Sequence, residues 1–170
     1  MPVSALWVFP DSHYSRLGCD VWDIRRDARK YDGLNPVIAH PPCGHWGRYS
    51  HVCRDDGSDA FYAISAVQRC GGVLEQPAYS RMFLQFDLPL PGCLPDLFGG
   101  YTVRINQFDF GHKALKPTWL YIVRREFVLK PFRMYESPVE LEVLSKKERS
   151  LTPYHLASEL VRMVASHAAF

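Results

Sequence analysis

Val37-Ile38-Ala39-His40-Pro41-Pro42-Cys43 is an apolar run that ends abruptly in two prolines and a cysteine. Val37 to Ala39 have the length and composition of a short buried strand. Pro41 and Pro42 lack the N–H that a ladder needs, so the backbone is expected to leave the sheet there. Cys43 is thereby predicted to sit in a loop at a carboxyl-end edge of a sheet, where open α/β folds hold their ligands. A cysteine held there is a candidate nucleophile. It reads equally as a small buried hydrophobe beside a turn.

On the amino-terminal side of this stretch, Ala5 to Phe9 is an apolar run closed by Pro10-Asp11-Ser12, which predicts a first strand. Gly18 to Trp22 predicts a second, ending at Asp23. On the other side, Ser58 to Cys70 carries helix signals: Ser58 or Asp59 can cap it, Ala60, Ile64 and Val67 share a face, and Gly71-Gly72 ends it. Val73-Leu74 predicts a strand that stops at Glu75-Gln76-Pro77. Pro89, Pro91 and Pro95 mark an irregular loop. Tyr101 to Phe108 alternates like a strand, Trp119 to Val123 reads as a buried one, and Phe127 to Phe132 as a further edge strand. Near the end, Thr152 is predicted to cap a helix with Pro153 in its first turn and an apolar stripe of Leu156, Leu160, Val161 and Val164. Strands alternating with helices imply an α/β fold with a mostly parallel sheet, in which Val37–Ala39 and Val73–Leu74 are parallel neighbours or nearly so.

At 170 residues and 47% hydrophobic, the chain suits one well-filled core, read as a single domain over 1–170. No apolar run approaches the ~20 residues that span a bilayer, which predicts no membrane partner. The start, Met1-Pro2-Val3-Ser4, lacks the pattern of a signal peptide. The five cysteines (Cys19, Cys43, Cys53, Cys70, Cys93) cannot all pair. Reduced thiols in a cytoplasm are therefore expected. A formal charge of +2 permits nucleic acid as a partner without demanding it. The basic runs Arg25-Arg26-Asp27-Ala28-Arg29-Lys30, Arg124-Arg125 and Lys146-Lys147-Glu148-Arg149 read first as solvated faces.

Val73-Leu74-Glu75-Gln76-Pro77 repeats the pattern of the cysteine segment, so Glu75 is expected at the same sheet edge as Cys43. A carboxyl group in a partly apolar cleft has a raised pKa and can hydrogen-bond or protonate a heterocycle. A glutamate capping a neighbouring helix is the plainer alternative. Gly111-His112-Lys113-Ala114-Leu115-Lys116-Pro117-Thr118 sets cations in a loop just ahead of a strand, within reach of a phosphate or a substrate carbonyl. Glu148 to Pro153 leads into the last helix.

In order and rough spacing these four segments resemble the C5-cytosine DNA methyltransferases. Pro42-Cys43 is similar to that family's Pro-Cys nucleophile loop, and Leu74-Glu75-Gln76-Pro77 to its Glu-Asn-Val segment. Gly111 to Val123 resembles a degenerate Gly-Val-Pro-Gln-x-Arg-x-Arg segment and the strand after it. The likeness is greatest to small phage- and prophage-borne proteins with an Ala-His-Pro-Pro-Cys signature. The resemblance implies a Rossmann-like methyltransferase-type domain, with Cys43 and Glu75 catalytic. Pro42, His45, His112, Lys113 and Lys116 would bind substrate, either DNA or a pyrimidine nucleotide. Asp23 and Asp27 would bind S-adenosylmethionine. The site would lie in the cytoplasm, the host's if the chain is phage-encoded.

Two departures accompany the likeness. No Phe-x-Gly-x-Gly loop follows the first strand, where glycines would let backbone approach the donor. The chain also leaves no room for a large target-recognition domain. The implied reaction is addition of the Cys43 thiolate to C6 of a cytosine while Glu75 polarises N3 and the exocyclic group, followed by transfer to C5. A base in a duplex would first be flipped out, with Trp46, Tyr49 or Trp119 stacking on it or filling the gap. The first rival is a zinc site, because His40, Cys43, His45, His51 and Cys53 crowd into fourteen positions. The other is a catalytically degenerate methyltransferase-like accessory factor that binds DNA or protein.

Overall fold

Strands of three residues build one half of the sheet and strands of six or seven the other. The computed structural model describes residues 1–48, 50–132 and 137–166. Along the chain run β1 (Ser4–Leu6), α1 (His13–Arg16), β2 (Asp20–Trp22), β3 (Val37–Ala39), α2 (Asp59–Cys70), β4 (Gly72–Pro77), α3 (Met82–Gln85), β5 (Tyr101–Asn106), β6 (Pro117–Val123), α4 (Lys146–Ser150) and α5 (Tyr154–Ala165). The sheet has six strands in the order β2-β1-β3-β4-β6-β5. The first four are parallel, and β6 runs antiparallel to both β4 and β5. The expected pairing of Val37–Ala39 with Val73–Leu74 is present as β3 against β4, in parallel. The α/β class and the mostly parallel sheet are thus as the sequence implies.

Each face of the sheet carries its own core. On one side the buried face of α2 (Ala60, Ala63, Ile64, Val67) packs with Leu6, Val37, Ala39, Leu74 and Tyr121. On the other, Leu156, Leu160, Met163 and Val164 of α5 pack with Ala5, Tyr14, Ile38, Val73 and Leu120. The alternation of side chains along a strand sorts residues between these faces. Gly72 joins α2 to the sheet at φ +130°, and a Cβ there would collide with the Val37 backbone. A position that combines that φ with such close approach is open only to glycine. Among the described residues no helix is long and apolar enough to cross a membrane.

Several boundaries move from their expected places. β1 ends at Leu6 rather than Phe9, because Trp7 turns to φ +55° and leaves the strand. β2 begins at Asp20 and β5 stops at Asn106. Pro153, not Thr152, occupies the cap position of α5. Residues 127–132 form no strand, because their backbone is held by other partners: Glu159 accepts from the Lys130 N–H, and the Asp109 carbonyl from the Phe132 N–H.

The largest correction concerns β4, which does not stop at Leu74 but runs through Glu75, Gln76 and Pro77, paired with Leu120, Trp119 and Thr118 of β6. Pro77 is tolerated because the Ala78 N–H points toward β6 and meets the Pro117 carbonyl. The nitrogen of Pro77 therefore faces the opposite side, already vacated by β3, and its missing N–H removes no ladder bond.

Candidate active site

The register brings the loops of interest to one edge. Ala39 is opposite Leu74, so β3 ends one residue before Glu75. The departing chain, His40-Pro41-Pro42-Cys43, lies at that edge. Because β6 is antiparallel, its first residues meet the last residues of β4, and Thr118 is opposite Pro77. Asn106, which ends β5, is opposite Pro117. Gln107 and Lys116 therefore arrive at the edge together, and the Gln107 N–H donates to the Lys116 carbonyl at 3.0 Å.

Glu75 is the centre of a buried hydrogen-bonded chain. It shares a strand face with Val73, directed toward Tyr14 and α5, and is 8% exposed. His40 Nδ1 lies 3.0 Å from Glu75 Oε2, and the Gln107 side-chain amide donates to Oε1 at 2.9 Å. The same amide reaches the Thr118 hydroxyl at 3.0 Å. On the far side of His40, the Tyr14 hydroxyl lies 2.8 Å from Nε2.

Burial is the largest influence on Glu75 and pushes its pKa up. The His40 hydrogen bond, the Lys116 ammonium, the His40 charge and Gln107 together outweigh it and hold the carboxyl below its ordinary value. The raised carboxyl expected from an apolar cleft is thus corrected. The cleft is apolar, but both carboxylate oxygens have donors.

Cys43 is an exposed residue in a loop that is otherwise mostly half-buried, and the thiol still feels the desolvation of its surroundings. Burial first, and then the Glu75 carboxylate, raise its thiol pKa, while the Lys116 ammonium pulls it down. The thiol thus sits within electrostatic reach of both groups. Cys53 packs behind the loop, where its Sγ would collide with a Cβ at Gly44. Glu75 and Lys116 are thus the charged groups that act most on the Cys43 thiol.

The other expected site residues lie elsewhere or are engaged. Pro42 is exposed beside Cys43. The His45 ring stacks edge-on against Trp46, and its Nδ1 lies 2.9 Å from the Asp55 carbonyl. His112 is buried, with Nδ1 against the backbone of Ala114. Burial, first of all, lowers its pKa. Lys113 points outward to Glu148 at 2.9 Å. His112 and Lys113 line a groove of about 570 Å³ with His13, Phe110, Tyr154 and His155, beside the Glu75 chain rather than around Cys43.

Asp23, just beyond the end of β2, accepts the Arg25 N–H on one oxygen. Asp27 is taken by Arg29, whose Nε and Nη2 donate at 2.8 and 3.1 Å. The crowd of histidines and cysteines at 40–53 does not converge, and no metal-holding group of three or more such ligands exists among the described residues. Trp46 packs on Phe86, and Trp119 on Phe83 and Tyr79. Both are therefore engaged in packing. Tyr49 lies outside the described residues.

Three members of the buried chain escaped the sequence reading. His40 was visible as a polar residue ending a buried strand, but its proximity to other metal-type ligands drew it toward zinc. Tyr14 and Gln107 had no local signal, since each reaches the edge from an element distant in sequence. The chain matches no protein-family model and no curated protein, so its chemistry rests on the geometry just described.

Proposed function

We propose that this protein carries out C5-directed modification of a pyrimidine, cytosine in DNA or in a nucleotide, through Cys43, by methyl transfer. The observation that carries the reading is that Cys43, in the loop leaving β3, lies within electrostatic reach of Glu75 on the adjacent parallel strand and of Lys116. That edge is where an open α/β sheet binds ligands.

In this reading the Cys43 thiolate adds to C6, forming the S–C6 bond and moving an electron pair toward C5. C5 then takes an electrophilic one-carbon group, loses its proton, and expels the thiolate to restore the ring. Glu75, held ionised, is an acceptor only, with lone-pair directions to spare beyond its bonds to His40 and Gln107. It takes the exocyclic amino group of cytosine, whereas uracil offers an oxygen at that position. Lys116 favours the thiolate and the incoming negative charge.

S-adenosylmethionine is the donor implied by resemblance. The residues present do not fit it in the family's manner. The loop after β1 has no glycine before Gly18, Tyr14 is buried against His40 at the end of β3, and Asp27 is occupied by Arg29. Among the described residues, Asp23 accepts on one carboxylate oxygen only, from the Arg25 N–H.

A second reading, a catalytically inactive fold that binds DNA or protein, is favoured by that same loop and by the raised Cys43 thiol. Intact-protein mass spectrometry with 5-fluorocytosine, as a nucleotide or in DNA, separates the two. Fluorine at C5 cannot leave as the proton does, so an active enzyme is trapped as an adduct at Cys43 when donor is present. Absence of an adduct with every pyrimidine and donor overturns the enzymatic reading in favour of binding.

A further inference from the structure

We infer that His40 is the positioning residue for Glu75 and that Tyr14 sets its tautomer, so that Tyr14, His40 and Glu75 work as one hydrogen-bonded chain behind the reactive edge. The inference rests on the reading of Glu75 as the pyrimidine-binding group. Its geometry is independent of that reading.

The proton positions follow from the partners. Glu75 is ionised and can only accept, so His40 Nδ1 must carry the hydrogen of their 3.0 Å contact. In a neutral imidazole Nε2 is then an acceptor, and the contact at 2.8 Å must be donated by the Tyr14 hydroxyl. Tyr14 can do so at any ordinary pH, because burial, first of all, and then the Glu75 carboxylate push its phenol well above its usual value. While Glu75 is ionised and His40 neutral, the order is Tyr14 Oη–H to Nε2, then Nδ1–H to Oε2.

Removing the middle link has a defined consequence. Oε2 would lose its donor in a site where burial already pushes the carboxyl pKa upward. The groups facing Glu75 are His40 from the end of β3, Lys116 from the start of β6, Cys43 from the proline loop, Tyr14 from α1 and His112 from the loop before β6. Gln107 also donates, to Oε1, and lowers the pKa, but it leaves Oε2 to His40, whose hydrogen bond is the largest of the lowering influences. Without it the carboxyl moves toward the neutral acid, which donates as well as accepts and no longer discriminates the amino group of cytosine.

The test has a spectroscopic arm and a kinetic arm. Nitrogen-detected NMR of the full chain should show His40 as the Nδ1–H tautomer, and Tyr14→Phe, which keeps the ring, should move its Nε2 resonance. An Nε2–H tautomer, or a Tyr14→Phe protein whose His40 resonances stay in place, overturns the inference. In the kinetic arm, His40→Leu should slow adduct formation with 5-fluorocytosine about thirtyfold, the scale of a lost charge-assisted hydrogen bond. It should also move the acid limb of the rate to higher pH. His40→Asn, which restores a donor near Nδ1, should recover most of the rate and leave the limb in place, and Tyr14→Phe should cost about fivefold.

An unchanged rate and acid limb in folded His40→Leu overturns the positioning role while leaving the cysteine chemistry standing. If His40→Leu fails to fold, an unchanged acid limb in both His40→Asn and Tyr14→Phe, with the NMR signature absent, does the same. The Nδ1–H signature in a wild type that forms no adduct supports the chain and overturns the pyrimidine reading instead.

Discussion

The two halves of the sheet differ in how they hold their functional groups. β1, β2 and β3 are three residues each, and their carboxyl ends open into loops. β4, β5 and β6 run six or seven residues in an antiparallel set. Cys43 belongs to the first half, exposed on a loop that two prolines push out of the sheet. Glu75 belongs to the second, fixed inside a ladder that outlasts β3 and tied at both oxygens. Thiol and carboxylate thus stand on either side of a boundary between a loop and a strand ladder. Reactive groups on a loop carried by a rigid scaffold are a common arrangement.

The strongest way to break this arrangement is at its joint. Gly72→Ala drives a Cβ into the Val37 backbone where β3 meets β4. It should cost roughly 3 kcal/mol or more of stability, or prevent folding, as urea denaturation would measure.

Glu75→Gln should cost less, about 2 kcal/mol at pH 7, because His40 loses its charged partner. The substitution should also flatten the acid limb of stability. The folded pKa of Glu75 is lowered, so its stabilisation is complete above the ordinary glutamate range, about 4.3, and is lost as pH falls through the lower folded value. Unfolding curves of both proteins from pH 7 down to pH 3 would show whether the acid loss belongs to this residue.

Cys43→Ser should leave stability within about 0.5 kcal/mol, since the residue is exposed. It should abolish adduct formation, an alcohol being a far poorer nucleophile than a thiolate. Large destabilisation instead would mean that Cys43 is a packing residue.

The coupling across the boundary can be measured without any substrate. Iodoacetamide should alkylate Cys43 more slowly than an ordinary thiol at pH 7.5, because the thiolate is disfavoured. Glu75→Gln should speed the reaction roughly two- to fivefold and Lys116→Ala should slow it, by removing the charges that push the thiol up and down. The smallest effect is reserved for Lys113→Ala, which should leave the rate unchanged, since that ammonium points away to Glu148.

The sequence was most legible where burial and local chemistry agree. The triplet Val37–Ala39, the helix from Asp59 to Cys70 and the apolar stripe of the last helix each declare themselves by composition, periodicity and a stop signal. So does the exit of the chain at Pro41-Pro42, which delivers Cys43 to the edge. The proline at Pro77 misled for the same reason. Taken alone it ends a strand, but what matters is which side its absent N–H faces, and that depends on a partner more than forty positions later in the sequence.

Of the candidate site, the amino-acid order determined the thiol of Cys43, the carboxyl of Glu75 and the exit of the chain after Ala39 that carries Cys43 to the sheet edge, because side-chain type and proline geometry are properties of single residues and their neighbours. Tertiary structure decided the rest: that β6 inserts beside β4 and extends it past Glu75, that Lys116 rather than Lys113 acts on the thiol, and that His40, backed by Tyr14, and Gln107 reach the carboxylate. A carboxyl pKa is set by every donor and charge within a few ångströms. Those neighbours come from β3, β5, β6 and α1, and only folding brings them together.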